Sequence, residues 1–122
     1  MIIISLFSTL FIVHWLADWL LQPQSWALNK LEDNVALFKH SLMYAIFITL
    51  STYFYTTNIL FIILTFIFNL ITHILLDNKE FVVWWIKNIK GGSNPPDWLV
   101  IGCDQAFHFI VLYLNALAWY LI

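Results

Sequence analysis

Three short stretches, "HWLAD" at His14–Asp18, "HILLD" at His73–Asp77 and "DQAFH" at Asp104–His108, each set a histidine and an aspartate four residues apart. On a helix a four-residue step advances about 6 Å and returns to nearly the same face, so each pair points an imidazole and a carboxylate the same way. Imidazole nitrogen and carboxylate oxygen together form a donor set for zinc, iron or manganese. By composition, a given histidine would meet an aspartate at either four-residue offset about one time in twelve. Three of the four histidines do; the fourth, His40, does not.

The elements that carry these pairs are unusually apolar. Of 122 residues, 62% are hydrophobic and only 10% are charged, well beyond what a soluble core needs. The composition therefore describes a membrane protein. Apolar runs over about 2–21, 36–55, 58–77 and 98–122 each approach the roughly 20 residues that a helix needs to cross a bilayer. The fold class expected is all-α: a polytopic, four-helix transmembrane bundle in a single domain, residues 1–122. The first run lacks a positive leading segment and a small-residue cleavage site, and Asp18 interrupts it, so it is expected to be a retained helix rather than a signal peptide. The short "TTN" link makes spans two and three an antiparallel hairpin. In the stretch from Asn78 to Asp97, Phe81, Trp84, Trp85 and Ile89 can share one face of a short helix. That helix either lies at the headgroup level between spans three and four or packs on the bundle as a linker.

All five basic residues are lysines, and the net charge is −2, so no basic surface for nucleic acid is expected. The single cysteine, Cys103, cannot form an intramolecular disulfide and is expected to pack as a small apolar residue. Lys30 and Lys39 fall in or beside the first long connection, and Lys79, Lys87 and Lys90 in the second. By the positive-inside rule both connections face the cytoplasm and both termini face outward. With helix direction included, all three pairs then place aspartate shallow and histidine deep within the cytoplasmic half of the bilayer.

Ionisable groups inside a membrane are expensive, and a bound cation supplies the charge that buried carboxylates need. His14, Asp18, His73, Asp77, Asp104 and His108 are the candidate metal ligands, with zinc first and manganese or iron as alternatives. Six such residues exceed the usual four ligands of one zinc ion. Either two metals sit side by side or some aspartates orient histidines from behind. His40 is a candidate further ligand or general acid. Lys30 and Lys79 are candidates for an anionic headgroup, the bland alternative being contact with lipid phosphate. Gln22 and Gln105 either hydrogen-bond a ligand or join helix ends, and Asn69 and Asn115 are expected to join helices. The seven tryptophans fit an interfacial belt.

The pattern His14, Asp18, Leu21, Gln22, Lys30, His40, Tyr44, His73, Asp77, Asp104, Gln105 and His108 resembles that of the domain of unknown function 3307 family, small bacterial and phage integral membrane proteins. That resemblance implies a bacterial inner membrane and covers nearly the full length, but implies no activity. More distantly, the chain is similar to the membrane-bound metal-dependent hydrolases, which implies hydrolysis of a lipid-like or otherwise membrane-associated substrate. The expected activity is thus an intramembrane metal-dependent hydrolase, with His40 and Lys30 as candidate catalytic residues beside the metal ligands. Two other classes stay open. One is a proton- or metal-coupled transport component, against which an almost wholly apolar outer half speaks, and which would need an oligomer. The other is a non-enzymatic membrane protein with a structural metal.

Overall fold

A computed structural model describes residues 2–122 as an all-helical bundle. Helix α1 (Ile2–Trp15) is prolonged by a π-helical turn (Leu16–Leu20) and followed by α2 (Gln24–Asn29), α3 (Asn34–Thr52), α4 (Ile59–Asp77), α5 (Glu80–Asn88) and α6 (Asp97–Leu121). Four helices are long and apolar enough to cross a membrane: Ile2–Leu20, Asn34–Thr52, Ile59–Asp77 and Asp97–Leu121. Each lies within a few residues of the span expected from its apolar run.

Local chemistry sets the ends. Asp33 caps α3 by accepting a hydrogen bond from the Val35 amide at 2.8 Å, and Asn58 caps α4 through the Phe61 amide at 3.2 Å. Pro23 and Pro96 stand just before α2 and α6, where a missing N–H costs nothing. The link between α3 and α4 is longer than "TTN", because α3 stops at Thr52 and Tyr53–Asn58 make the turn. The Tyr55 hydroxyl pins that turn to α1 by donating to the Ser5 carbonyl at 3.1 Å. Helix α2 is an addition to the expected elements. Six residues show too little periodicity to announce a helix, and none of them is buried.

Helix α1 packs on α3 and α6, and α4 also packs on α3 and α6, so the four spans close a square. Helix α2 rests on α3, and α5 touches α4 and α6. Val82 and Ile86 seat α5 on Leu99, Cys103 and Phe107, so one face packs on the bundle and Cys103 does pack among apolar neighbours. Trp84 on α5 and Ile89 just after it are exposed, while Phe81 and Trp85 both meet Phe107 edge-on, at 5.0 and 5.3 Å.

The spans are inside out relative to a soluble bundle. On α4 the exposed residues include Ile59, Leu60, Ile63, Ile67, Ile71 and Leu75, while the buried line is Phe61, Thr65, Asn69, His73 and Asp77 at strict four-residue intervals. Such a helix presents its most apolar face outward because hydrocarbon is its solvent and keeps its polar groups for the interior. An apolar core of Leu6, Leu10, Ile48, Leu112 and Ala116 fills the half near the termini. The other half is polar.

Candidate functional site

Every span contributes to that polar half. Helix α1 gives His14 and its π turn Asp18; α3 gives His40 and Tyr44; α4 gives His73 and Asp77; α6 gives Asp104, Gln105 and His108. All nine are buried. The π turn is closed by a Leu21 amide bond to the Leu16 carbonyl at 2.8 Å, a five-residue step that widens the helix where Asp18 must turn inward. At the end of α4, Lys79 adopts a left-handed backbone with φ of 67°. That conformation costs a non-glycine residue roughly 1–2 kcal/mol. It breaks α4 and brings the Lys79 ammonium 2.6 Å from Asp104 Oδ2 and 3.8 Å from Asp77 Oδ1.

Three imidazoles meet edge to edge. His108 Nδ1 lies 2.8 Å from the Asp104 backbone carbonyl and must donate to it, which leaves Nε2 of the neutral ring with a lone pair. That Nε2 is 3.1 Å from His73 Nδ1, and His73 Nε2 in turn lies 3.2 Å from Asp77 Oδ2. His73 Nε2 is 2.9 Å from His40 Nε2, which also lies 2.5 Å from Asp77 Oδ2 and 3.0 Å from Asp18 Oδ1. The Tyr44 ring stacks on His73 at a centroid distance of 3.9 Å. Its hydroxyl is 3.1 Å from His14 Nδ1, and His14 Nε2 is 2.8 Å from Gln105 Oε1. Gln105 donates onward to Asp104 Oδ2 at 3.3 Å.

The six candidate ligands thus share one buried cluster, but not as equals. Asp18, His73, Asp77 and His108 each offer a donor atom within 4.8 Å of the others. His14 stands one step back, 3.9 Å from Asp18 Oδ2 and held by Tyr44 and Gln105. Asp104 is engaged by Lys79 and Gln105. His40, without an aspartate on its own helix, is fully buried against those of two others, Asp18 and Asp77. Sequence spacing along one helix could not reveal a pairing made between helices. Gln22 donates to the His40 carbonyl at 3.3 Å, a helix-joining role. Asn69 donates to Asn115 Oδ1 at 3.1 Å, as expected for a pair joining α4 and α6.

The donor set fits a divalent cation. Two imidazole nitrogens and two carboxylates are appropriate ligands for zinc, manganese or iron. The His108 Nδ1 bond to a backbone carbonyl is the orientation that metal-binding histidines use, with Nε2 aimed into the cluster. Asp77 Oδ1 and Asp104 Oδ1 are buried without a hydrogen bond, the first 3.4 Å from His108 Nε2 and 3.8 Å from Lys79 Nζ, the second 3.5 Å from His108 Nδ1. Buried carboxylate oxygens with unfilled hydrogen-bonding capacity can accept a cation. With neutral histidines, the three aspartates outweigh Lys30 and Lys79 by one negative charge.

Lys30 reaches into the site from the connection after α2, its Nζ 2.7 Å from Asp77 Oδ2. Burial pushes its ammonium down, but the Asp77 carboxylate and the hydrogen bond to it prevail, so its pKa is raised above the ordinary lysine value. A cavity of about 510 Å³ opens beside the cluster, with Asp18, Lys30, Lys79, Asp104 and Gln105 among its walls. His40 is not among them; it is fully buried, with Nε2 against the Asp18 and Asp77 carboxylates.

The family model for "Protein of unknown function (DUF3307)" matches residues 6–121, and the chain belongs to that family. No curated protein and no solved structure matches it, and the more distant likeness to metal-dependent hydrolases finds no support in these comparisons.

Proposed function

We propose, from the site rather than from family membership, that the protein is a membrane-embedded metal-dependent hydrolase acting on a lipid-like substrate. One observation carries the reading: Asp18 belongs both to the four-residue donor cluster and to the wall of the cavity that Lys30 and Lys79 share. A cation held by Asp18, His73, Asp77 and His108 would therefore border a cavity with charged walls. If bound there, a divalent ion would lower the pKa of water towards neutrality and polarise the oxygen of the carbonyl or phosphoryl group under attack.

The chain's own groups supply the remaining chemistry. Asp104 lines the cavity, with Oδ2 on Lys79 and Gln105 and a buried Oδ1 3.5 Å from His108 Nδ1, and its carboxylate would take a proton from the attacking water and return it to the leaving group. His40 holds Asp18 and Asp77, and His14, fixed by Tyr44 and Gln105, lies behind Asp18. The lysine distribution favours a site in the cytoplasmic half of a bacterial inner membrane, with both termini outside. Zinc is the first metal to test, then manganese and iron.

The test is elemental analysis of detergent-purified protein supplied with metal, wild type beside His108→Ala and Asp18→Asn, followed by assays on ester, phosphoester and amide amphiphiles. At least one equivalent of metal in the wild type, lost in both variants, with hydrolysis following metal content, is the expected result. A folded wild type that takes up no metal overturns the reading.

A second reading, a proton relay, is favoured by the His40–His73–His108 chain of ring contacts at 2.9 and 3.1 Å. It requires no metal, so the same analysis separates the two.

A further inference from the structure

The five lysines divide into two sets. Lys39, Lys87 and Lys90 are exposed, as lysines meeting lipid phosphate at a membrane surface would be. Lys30 and Lys79 are withdrawn, with only 17% and 18% of their side chains accessible, and both line the same cavity as Asp18 and Asp104. Each ammonium has three donors. One from Lys30 goes to Asp77 and one from Lys79 to Asp104, so two N–H groups on each remain for a ligand in the cavity.

Resting on the hydrolase reading, we propose that this cavity is the subsite for a phosphate group carried on an amphiphile, gripped by Lys30 and Lys79, and open to that anion once a cation fills the carboxylate cluster. The charge balance sets the condition. Without a cation and with the four histidines neutral, the three buried aspartates exceed the two lysines by one negative charge, and an anion is repelled. A divalent ion reverses the excess to one positive charge. Asp97, also on the cavity wall, is exposed and lies in the first turn of α6, where water and the helix dipole screen it. Rotatable ammonium groups suit phosphate as point charges, and their partial burial makes the contact worth more than a surface pair.

The apolar part of the ligand follows from the rest of the wall. Trp19, Leu28, Leu31 and Ile101 line the same cavity and are exposed at its edge, forming a path from the charged floor to the lipid-facing surface. The volume of about 510 Å³ falls within the range of small-molecule pockets, roughly 300–1,000 Å³. It takes a headgroup and the first part of a chain, with the remaining chain lying along α1 and α6.

Calorimetric titration of the full-length protein in detergent tests this, with metal content measured on every sample. The probes are a short dialkyl-ether phosphonate, which has no hydrolysable bond, the phosphocholine amphiphile of equal chain length, and inorganic phosphate. The metal-loaded protein should bind the phosphonate at least tenfold more tightly than either other probe. Chelation should remove that preference, and Lys30→Met and Lys79→Met should each weaken phosphonate binding at least tenfold without loss of metal, whereas Lys87→Met should not. Equal binding of the phosphocholine amphiphile by metal-loaded protein overturns the phosphate subsite and leaves the hydrolase reading standing. Equal binding of inorganic phosphate overturns the amphiphile. Unchanged binding in both lysine variants overturns the grip. Should a lysine variant fail to fold, the chelation arm still decides, and a wild type that never holds metal fails the hydrolase reading itself.

Discussion

At one end of the bundle the buried layer is His14, Asp18, His40, His73, Asp77, Asp104 and His108; at the other it is Leu6, Leu10, Ile48, Leu112 and Ala116. The same four helices run through both, and their outward faces are mainly apolar in each, with Lys39 on α3 and Asp97 at the start of α6 among the exceptions. In lipid, bringing leucine to the interior gains little transfer free energy, because the hydrocarbon outside is as apolar as the core. What the apolar half contributes is close packing. The polar half faces the opposite situation: each carboxylate is costly to bury and is tolerated only where neighbours or a cation neutralise it. One half thus contributes packing while the other gathers charge, and under the proposed function substitutions should separate stability from chemistry.

The largest effect is expected from Asp77→Asn. Asp77 meets His40, His73, His108, Lys30 and Lys79 within 4.0 Å, so an amide of equal size removes the charge at the centre of the cluster. Metal affinity should fall roughly a hundredfold or more, beyond the 10–100-fold that loss of an outer hydrogen-bonding partner costs. Hydrolysis should fall with it while the helical circular-dichroism signal persists. Retained metal in this variant would break the assignment of the cluster.

Next comes Leu10→Ala in the apolar half. The substitution leaves a cavity beside Ile48 and Leu112, and the expected loss is about 2 kcal/mol, the low end of the soluble range because the transfer contribution is small in lipid. Metal content and turnover at a temperature where the variant is folded should match the wild type. A change in metal affinity would mean that the two halves are coupled.

Gln105→Ala should have a smaller effect, roughly tenfold in metal affinity or turnover, because its two hydrogen bonds hold His14 and Asp104 rather than the donor cluster itself. A loss of metal affinity as large as that of Asp77→Asn would bring His14 or Asp104 into direct ligation.

The contrast between halves also explains what was readable beforehand. Four spans follow from length and apolarity, and the three histidine–aspartate pairs follow from the four-residue period, so both the bundle and most of its polar layer were legible. His40 was legible as a polar residue but not as a partner of Asp18 and Asp77, since contacts between helices depend on rotation about each axis. The π turn at Leu16–Leu20 has no sequence signature, yet it sets the direction of Asp18. Likewise, nothing in "DNKE" announces that Lys79 adopts a positive φ and turns back to Asp104. Tyr44 follows His40 at the four-residue spacing, but its role, stacking on His73 while bonding His14, exists only once α1, α3 and α4 are assembled.

The smallest effect is expected at the border. One turn deeper than His73, Asn69 donates to Asn115, while Thr65 Oγ1, Asn69 Oδ1 and Asn115 Nδ2 remain buried without hydrogen bonds. If the border lies here, the pair serves only to join α4 to α6. A double-mutant cycle with Asn69→Leu and Asn115→Leu should then give a coupling of about 0.6 kcal/mol, and not above about 1.7, the span found for interhelical hydrogen bonds in membranes. Metal content and turnover should be unchanged in all three variants. Asn69 nevertheless continues the line of Asp77 and His73 along α4, and its unbonded oxygen faces the interior with Thr65 a further turn away. Loss of activity in Asn69→Leu with metal intact would therefore make these amides part of a proton route. The polar half would then extend one or two turns further into the membrane, and the ring contacts among His40, His73 and His108 would be its beginning.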